Sequence, residues 1–243
     1  MQTAAPAPSR EWCLFLDIDG TLLELAETPA AVVVDRDLKD LLARLAQTLD
    51  GAVALVSGRS IDVIDRLFTP LRMPAAGLHG LERRTASGER RGAQGVDPRL
   101  DGARASLAAF VDAHPGTLLE DKGRALAVHF RTAPHFAEPA RRAVDAAARS
   151  VSGYHVQEGK MVLEIKPRRV TKATAVEDFM REPPFQGRKP VFVGDDLTDQ
   201  DGLRSAERMG GISIAVGDRI EGQWHLEGPA DVRRWLASVA ALG

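Results

Sequence analysis

Four short apolar runs, each ending in a polar turn, constrain this chain more than any other feature. Residues 12–17 (WCLFLD), 52–57 (AVALVS), 190–196 (PVFVGDD) and 211–217 (GISIAVG) show no alternation of apolar and polar side chains, so they read as strands buried on both faces. Residues 75–77 read as a brief further strand or its exit loop. Helical stripes lie between the runs. Leu38, Leu41, Leu42, Leu45 and Leu49 recur at helical spacing, and residues 61–68, 173–180 and 232–241 are read as further helices. Buried strands alternating with helices imply the α/β class: a Rossmann-like, doubly wound parallel sheet covered on both faces.

The middle third breaks that rhythm. Helical stretches around residues 100–111 and 139–151 are each followed by segments that do alternate. Leu126, Val128 and Phe130 oppose Ala127, His129 and Arg131; Met161, Leu163 and Ile165 oppose Lys160, Val162 and Glu164. One apolar and one polar face describe a half-buried sheet. Residues 83–165 are therefore expected to form a small α+β domain inserted between the halves, 1–82 and 166–243, of the larger one.

Composition narrows the partners. Of 243 residues, 44% are hydrophobic and 27% charged, which suits a globular core rather than a disordered chain. The formal net charge of −2 argues against general attraction to nucleic acid or an anionic membrane. The one cysteine, Cys13, rules out an internal disulfide and a cysteine metal cluster. No stretch approaches the length of a membrane span. Residues 1–10 (MQTAAPAPSR) lack the basic start and apolar run of a signal peptide. A cytoplasmic location is expected, and with no coiled-coil repeat, a monomer.

Asp17-Ile18-Asp19-Gly20-Thr21 follows the first buried run directly. At average residue usage such a D-x-D-G-T string occurs by chance in roughly one chain in several hundred of this length. In open α/β sheets, ligands bind outside the carboxyl ends of the strands, which is where it stands. Ser57-Gly58-Arg59 follows the second run and offers a hydroxyl and backbone N–H groups to phosphate oxygens; the plainer reading is a helix cap. Asp195, Asp196 and Asp199 follow the 190–194 run, more carboxylates than a cap needs. Lys172 heads a helix, where a lone lysine is ordinarily a solvated residue. Converging carboxylates repel unless a cation sits among them, and oxygen donors favour Mg²⁺. Lys172 and Ser57 would then orient phosphate oxygens, one Asp could attack phosphorus, and a second could move the proton.

This set resembles the haloacid-dehalogenase-like phosphatase superfamily, whose four motifs match 17–21, Ser57, Lys172 and 195–199. The resemblance implies Asp17 as nucleophile and Asp19 as general acid/base, with Mg²⁺ held by Asp17, the Asp19 carbonyl and Asp195. Gly58 and Arg59 would face phosphate, while Asp196 and Asp199 would support the metal's waters or Lys172.

The inserted domain supplies the substrate expectation. It can act as a cap that closes over the phosphate site and reads the leaving group. Glu120, Lys122, Arg131, Lys160 and Glu164 mix acceptors and cations as a many-hydroxyl ligand would require; the bland alternative is a solvated sheet face. The phrases LVSGRS (55–60), GLHG (77–80), LLEDKGRALAVHFR (118–131), GKMVLEIKP (159–167) and VGDDLTDQD (193–201) resemble the trehalose-6-phosphate phosphatase family. By that resemblance those five residues bind the sugar hydroxyls, and His79 and Gly80 lie where core meets cap. The sequence departs from the family at Leu78, where Asn is usual, at Ala173, where Gly is usual, and at Gln200, where Glu is usual. The expected partner is a small sugar phosphate. Sucrose 6-phosphate and mannosyl-3-phosphoglycerate stay open as other substrates, and a catalytically silent binding module stays open as another class.

Overall fold

The computed structural model describes residues 5–26, 28, 31–92 and 95–243. In chain order, its first elements are β1 (Trp12–Leu16), α1 (Arg36–Thr48), β2 (Val53–Val56), α2 (Ile61–Phe68), β3 (Ala75–Gly77), β4 (Glu82–Arg84) and β5 (Arg90–Gly92). Next come α3 (Asp101–Asp112), β6 (Leu118–Asp121), β7 (Leu126–His129), α4 (Ala137–Arg149), β8 (Tyr154–Gly159) and β9 (Val162–Pro167). The last are α5 (Lys172–Phe179), β10 (Lys189–Gly194), α6 (Gln200–Arg208), β11 (Ile212–Val216), β12 (Trp224–Leu226) and α7 (Pro229–Ala240). The described residues divide into two compact units, one within 1–26, 30–92 and 171–243, the other within 27–29 and 93–170. No helix among them is long and apolar enough to cross a membrane.

The first unit is built on one sheet in the order β12-β11-β10-β1-β2-β3-β4-β5. From β12 to β3 every pairing is parallel, and β4 and β5 add an antiparallel hairpin at one edge. The chain winds outward from β1 in one direction through β2 and β3, and returns on its other side through β10. β1 and β10 therefore flank the switch point of a doubly wound fold. The apolar runs behave as their composition dictates: β1, β2 and β11 are buried along their whole length. Helix starts are set by capping side chains. The Asp35 carboxylate accepts from Leu38 N–H at 2.8 Å, and Thr171 and Thr174 form a reciprocal box at the head of α5. Phe15, Phe179 and Phe185 stack into the core, with the Phe15 and Phe185 ring centroids 5.5 Å apart.

The hairpin moves the expected domain break. Residues 83–92 belong with the first unit because Ala76 pairs Arg83 across β3 and β4. Arg84 also donates to the Met73 carbonyl at 2.9 Å, and its guanidinium meets Asp65 on α2. At the other end, residues 166–170 go with the second unit, since β9 continues to Pro167.

The second unit is an antiparallel sheet, β6-β7-β9-β8, with α3 and α4 on its apolar side. Leu126, Val128, Leu163 and Ile165 point into the core shared with Leu107, Ala140 and Val144, as the alternation of residues anticipates. Below the sheet, buried Asp97 accepts from the Tyr154 hydroxyl at 2.8 Å and from Arg99 Nη2 at 2.7 Å.

Candidate active site

β1 pairs with β10 so that Leu16 faces Val193, and the next residue of each strand end begins the site. Asp17 N–H donates to the Val193 carbonyl at 3.0 Å, which fixes its backbone at the switch point. Its Oδ1 accepts from Lys172 Nζ at 2.5 Å, and the same ammonium donates to Asp199 Oδ1 at 2.6 Å. Asp199 Oδ2 accepts the backbone N–H groups of Asp195 and Asp196 at 3.2 and 3.1 Å. Asp199 thus serves as a brace that orients both Lys172 and the Asp195 turn. Thr21 Oγ1 donates to Asp195 Oδ1 at 3.1 Å. Gly20, at φ +89°, lets the Asp17–Thr21 turn run under that carboxylate. A Cβ there would stand 2.1 Å from Asp195 Oδ2, so any other residue would be strained at this φ and would push the Asp195 carboxylate out of place.

The electrostatics follow from burial. Carboxylate oxygens of Asp17, Asp195 and Asp199 lie within 4.8 Å of one another, all buried, and the three face one ammonium. Burial, and then the neighbouring Asp199 charge, raise the Asp17 carboxyl well above the usual carboxylate range and push Asp195 up to about 7. Burial opposes the Lys172 charge, but Asp17 and Asp199 overcome it and raise the lysine above its ordinary value. Crowded oxygen donors with too little positive charge suit a hard divalent cation. Asp199 accepts from Lys172 and two backbone N–H groups, Asp17 from Lys172 and Asp195 from Thr21, and together the three could hold such an ion.

The end of β2 contributes the second group. The Ser57 hydroxyl accepts from Arg59 N–H at 3.1 Å; the cap of α2 is Ser60, so Ser57 is not spent there. Arg59 reaches Asp19, with Nε 2.6 Å from Oδ2 and Nη2 2.7 Å from Oδ1. His79 N–H donates to the Ser57 carbonyl at 2.9 Å, and its ring covers Gly58, where a Cβ would meet it at 2.9 Å. Asp17, Asp19, Ser57, Gly58, Arg59, His79, Gly80, Lys172, Asp195, Asp196 and Asp199 all belong to this unit. Arg219, from the loop after β11, binds Asp196 Oδ1. Nothing in the local sequence around Arg219 signals that partnership.

The second unit gathers three of its five expected residues on the polar sheet face. Glu120, Ala127 and Glu164 form one row across β6, β7 and β9, with the small Ala127 between the acids. Lys122 Nζ donates to Glu164 Oε1 at 3.0 Å and stands 3.9 Å from Glu120 Oε2. His129 Nε2 lies 2.8 Å from Glu120 Oε2. Burial pushes Glu120 upward, but the Lys122 charge and the His129 contact outweigh it and lower its pKa. Arg131 and Lys160 form a separate pair, Arg131 Nη2 donating to the Lys160 carbonyl at 3.1 Å. His129 is not among the expected site residues; the signal for it in the sequence is its strand parity with Ala127 and Arg131 on the polar face.

Comparison with known proteins bears on the family. The trehalose-phosphatase family profile matches residues 15–234. A probable trehalose-phosphate phosphatase of Sinorhizobium fredii is 45% identical over 211 residues, covering 86% of this chain and 79% of that protein. The trehalose-6-phosphate phosphatase of Escherichia coli is 39% identical over 238 residues, 98% of this chain and 90% of its own. The crystal structure of a trehalose-6-phosphate phosphatase related protein superposes with a TM-score of 0.80 at 25% identity, over 95% of this chain and 98% of that one. Solved haloacid-dehalogenase-like phosphatases and hydrolases share the α/β fold at TM-scores of 0.61 and 0.60. With the family's profile matching residues 15–234 and relatives at 45% and 39% identity covered over 79% and 90% of their length, the chain belongs to the trehalose-phosphatase family.

Proposed function

We propose that the protein hydrolyses trehalose 6-phosphate to trehalose and inorganic phosphate, with Mg²⁺, through an aspartyl-phosphate on Asp17. The observation that carries the chemistry is the buried contact of Asp17 with Lys172, braced by Asp199 and set beside Asp195. The names of the relatives carry the substrate.

Asp17 attacks phosphorus while Lys172 Nζ, Ser57 Oγ and the backbone N–H groups after β2 hold the phosphoryl oxygens. Asp19 gives a proton to the departing sugar oxygen. It then takes one from the water that attacks the aspartyl-phosphate, so that phosphate leaves and Asp17 is restored. Asp17, Asp195 and the Asp19 carbonyl would hold Mg²⁺, which when bound supplies positive charge against the crowded carboxylates and the phosphoryl oxygens. Glu120, Lys122 and Glu164, with Arg131 and Lys160, are assigned to the sugar hydroxyls.

Phosphate release from trehalose 6-phosphate, sucrose 6-phosphate, glucose 6-phosphate and mannosyl-3-phosphoglycerate, with Mg²⁺ and with chelator, tests both halves. Release from trehalose 6-phosphate alone, lost with chelator, is the expected result. Release from another member would move the substrate and leave the chemistry. Silence across the panel, with ligand-stabilised melting, would replace the enzyme with a binding module.

A further inference from the structure

The contact between Arg59 and Asp19 asks for a role. Asp19 sits on the turn after β1, with its side chain 27% exposed and a glycine behind it. Arg59 is the better-fixed partner. Its side chain is 9% exposed, its N–H is held by the Ser57 hydroxyl, and its carbonyl accepts from Leu78 N–H at 3.0 Å. From that anchor Nε and Nη2 take one carboxylate oxygen each, at 2.6 and 2.7 Å. This fork-on-fork geometry fixes the plane of a carboxylate as well as its position, which a point charge does not do.

We infer that Arg59 is the positioning residue for Asp19: it sets the line along which Asp19 hands a proton to the departing oxygen. The inference rests on the proposed function. It concerns the first half of the reaction, in which an Asp17 oxygen bonds to phosphorus, the bond from phosphorus to the leaving oxygen breaks, and a proton carried on one Asp19 oxygen, while Arg59 keeps its hold on the other, ends on the leaving oxygen. General acid catalysis by a side chain is worth about 10²–10⁴ in rate, and a small misplacement of a reacting group removes a large part of such a gain. The competing account is that Arg59 only neutralises one of several nearby acids. A lysine would serve that purpose as well.

The experiment compares kcat/KM for two classes of phosphate ester, since that ratio reports steps up to transfer onto Asp17. An alkyl ester, such as a sugar phosphate the wild-type protein hydrolyses, has a leaving oxygen that needs a proton. An aryl ester such as p-nitrophenyl phosphate has one that leaves readily as an anion. Arg59→Lys is expected to lower kcat/KM about 10- to 100-fold for the alkyl ester and less than about threefold for the aryl ester. Asp19→Asn is expected to show the same selectivity, and adding Arg59→Lys to it is expected to cost little more, because the two substitutions act through one contact. The ratio of the two esters on one preparation does not depend on how much of the variant is folded. Equal losses on both esters, an undiminished effect in the Asp19→Asn background, or full activity of Arg59→Lys would each overturn the inference. A wild-type protein that ignores trehalose 6-phosphate but hydrolyses another alkyl ester would move the proposed substrate and leave this test intact.

Discussion

Lys172 Nζ donates to Asp17 Oδ1 across 2.5 Å where neither side chain is more than 7% exposed. Removing one partner of such a pair leaves the other charged and buried, which costs about 3–5 kcal/mol. Here the loss would leave three buried carboxylates with no ammonium among them. Lys172→Met is therefore expected to lower the unfolding free energy by about that amount and to reduce phosphate release at least about 100-fold, as loss of a charge aimed at the reacting group does. Urea unfolding together with steady-state kinetics checks both. A variant that lost activity and kept wild-type stability would show that the crowded carboxyls take up protons when the ammonium is removed, so that no charge stays buried and unpaired.

The polar face of the second unit makes a different kind of prediction. Glu120 and Glu164 share Lys122, and His129 holds Glu120 from the far side. If they read sugar hydroxyls, each substitution removes one hydrogen-bonding charge from the ligand and none from the phosphorus chemistry. Glu120→Gln and Glu164→Gln are each expected to raise KM for trehalose 6-phosphate about tenfold, the worth of a hydrogen bond to a charged group. Turnover of p-nitrophenyl phosphate should stay within about twofold, because its ring offers no hydroxyls to lose. Unchanged KM in both variants would remove the sugar-reading role.

The sequence disclosed the first unit well because its strands are buried on both faces, and continuous apolar runs such as 12–16 and 212–216 have few other folds open to them. The motif acids were legible for a related reason: each stands at the end of such a run, and parallel strands bring those ends to one edge. What could not be read was pairing at a distance. Arg90 and Arg91 look like solvated charges until β5 is laid against β4 and Arg90 meets Asp65, which is why the expected domain break, between residues 82 and 83, fell inside the hairpin's first strand. Arg219 on Asp196 and Arg59 on Asp19 are likewise contacts between strand-end loops whose separation in sequence carries no periodic signal. Within the second unit, parity told which residues share a face, but strand order decides that Glu120 and Glu164 flank Ala127.

Leu78 tests a backbone argument. It takes a φ of 51° and is followed by His79 at 59° and Gly80 at 109°, a left-handed run in which two residues carry a Cβ. Left-handed backbone costs an L residue about 1–2 kcal/mol, and Asn, usual here in the family the sequence resembles, tolerates it better. The strain is isolated by comparing two truncations that lose the same side chain. Leu78→Gly is expected to be about 1 kcal/mol more stable than Leu78→Ala, the reverse of their order in an ordinary helix. Thermal melts of the two variants decide it, and the usual order would show that position 78 relaxes to negative φ.

His155 gives the second unit a pH dependence of defined sign. It stands on β8 opposite Lys166, and its Nδ1 is buried with no hydrogen-bond partner among the described residues. Burial, then the Lys166 and Arg168 charges, lower its pKa from the ordinary histidine value of 6.5. In the unfolded chain the ring regains that value, so between pH 6.5 and the lower folded value the unfolded state binds the proton more readily. Stability contributed by keeping this ring neutral is thus fully present above pH 6.5 and is lost as pH falls through the folded value. His155→Gln removes the titrating group. Relative to wild type, it is expected to flatten the fall in melting temperature between pH 7 and pH 5, while the two proteins keep a constant offset above pH 7.5. Parallel curves across the whole range would mean that His155 takes up its proton in the folded protein as easily as in the unfolded one.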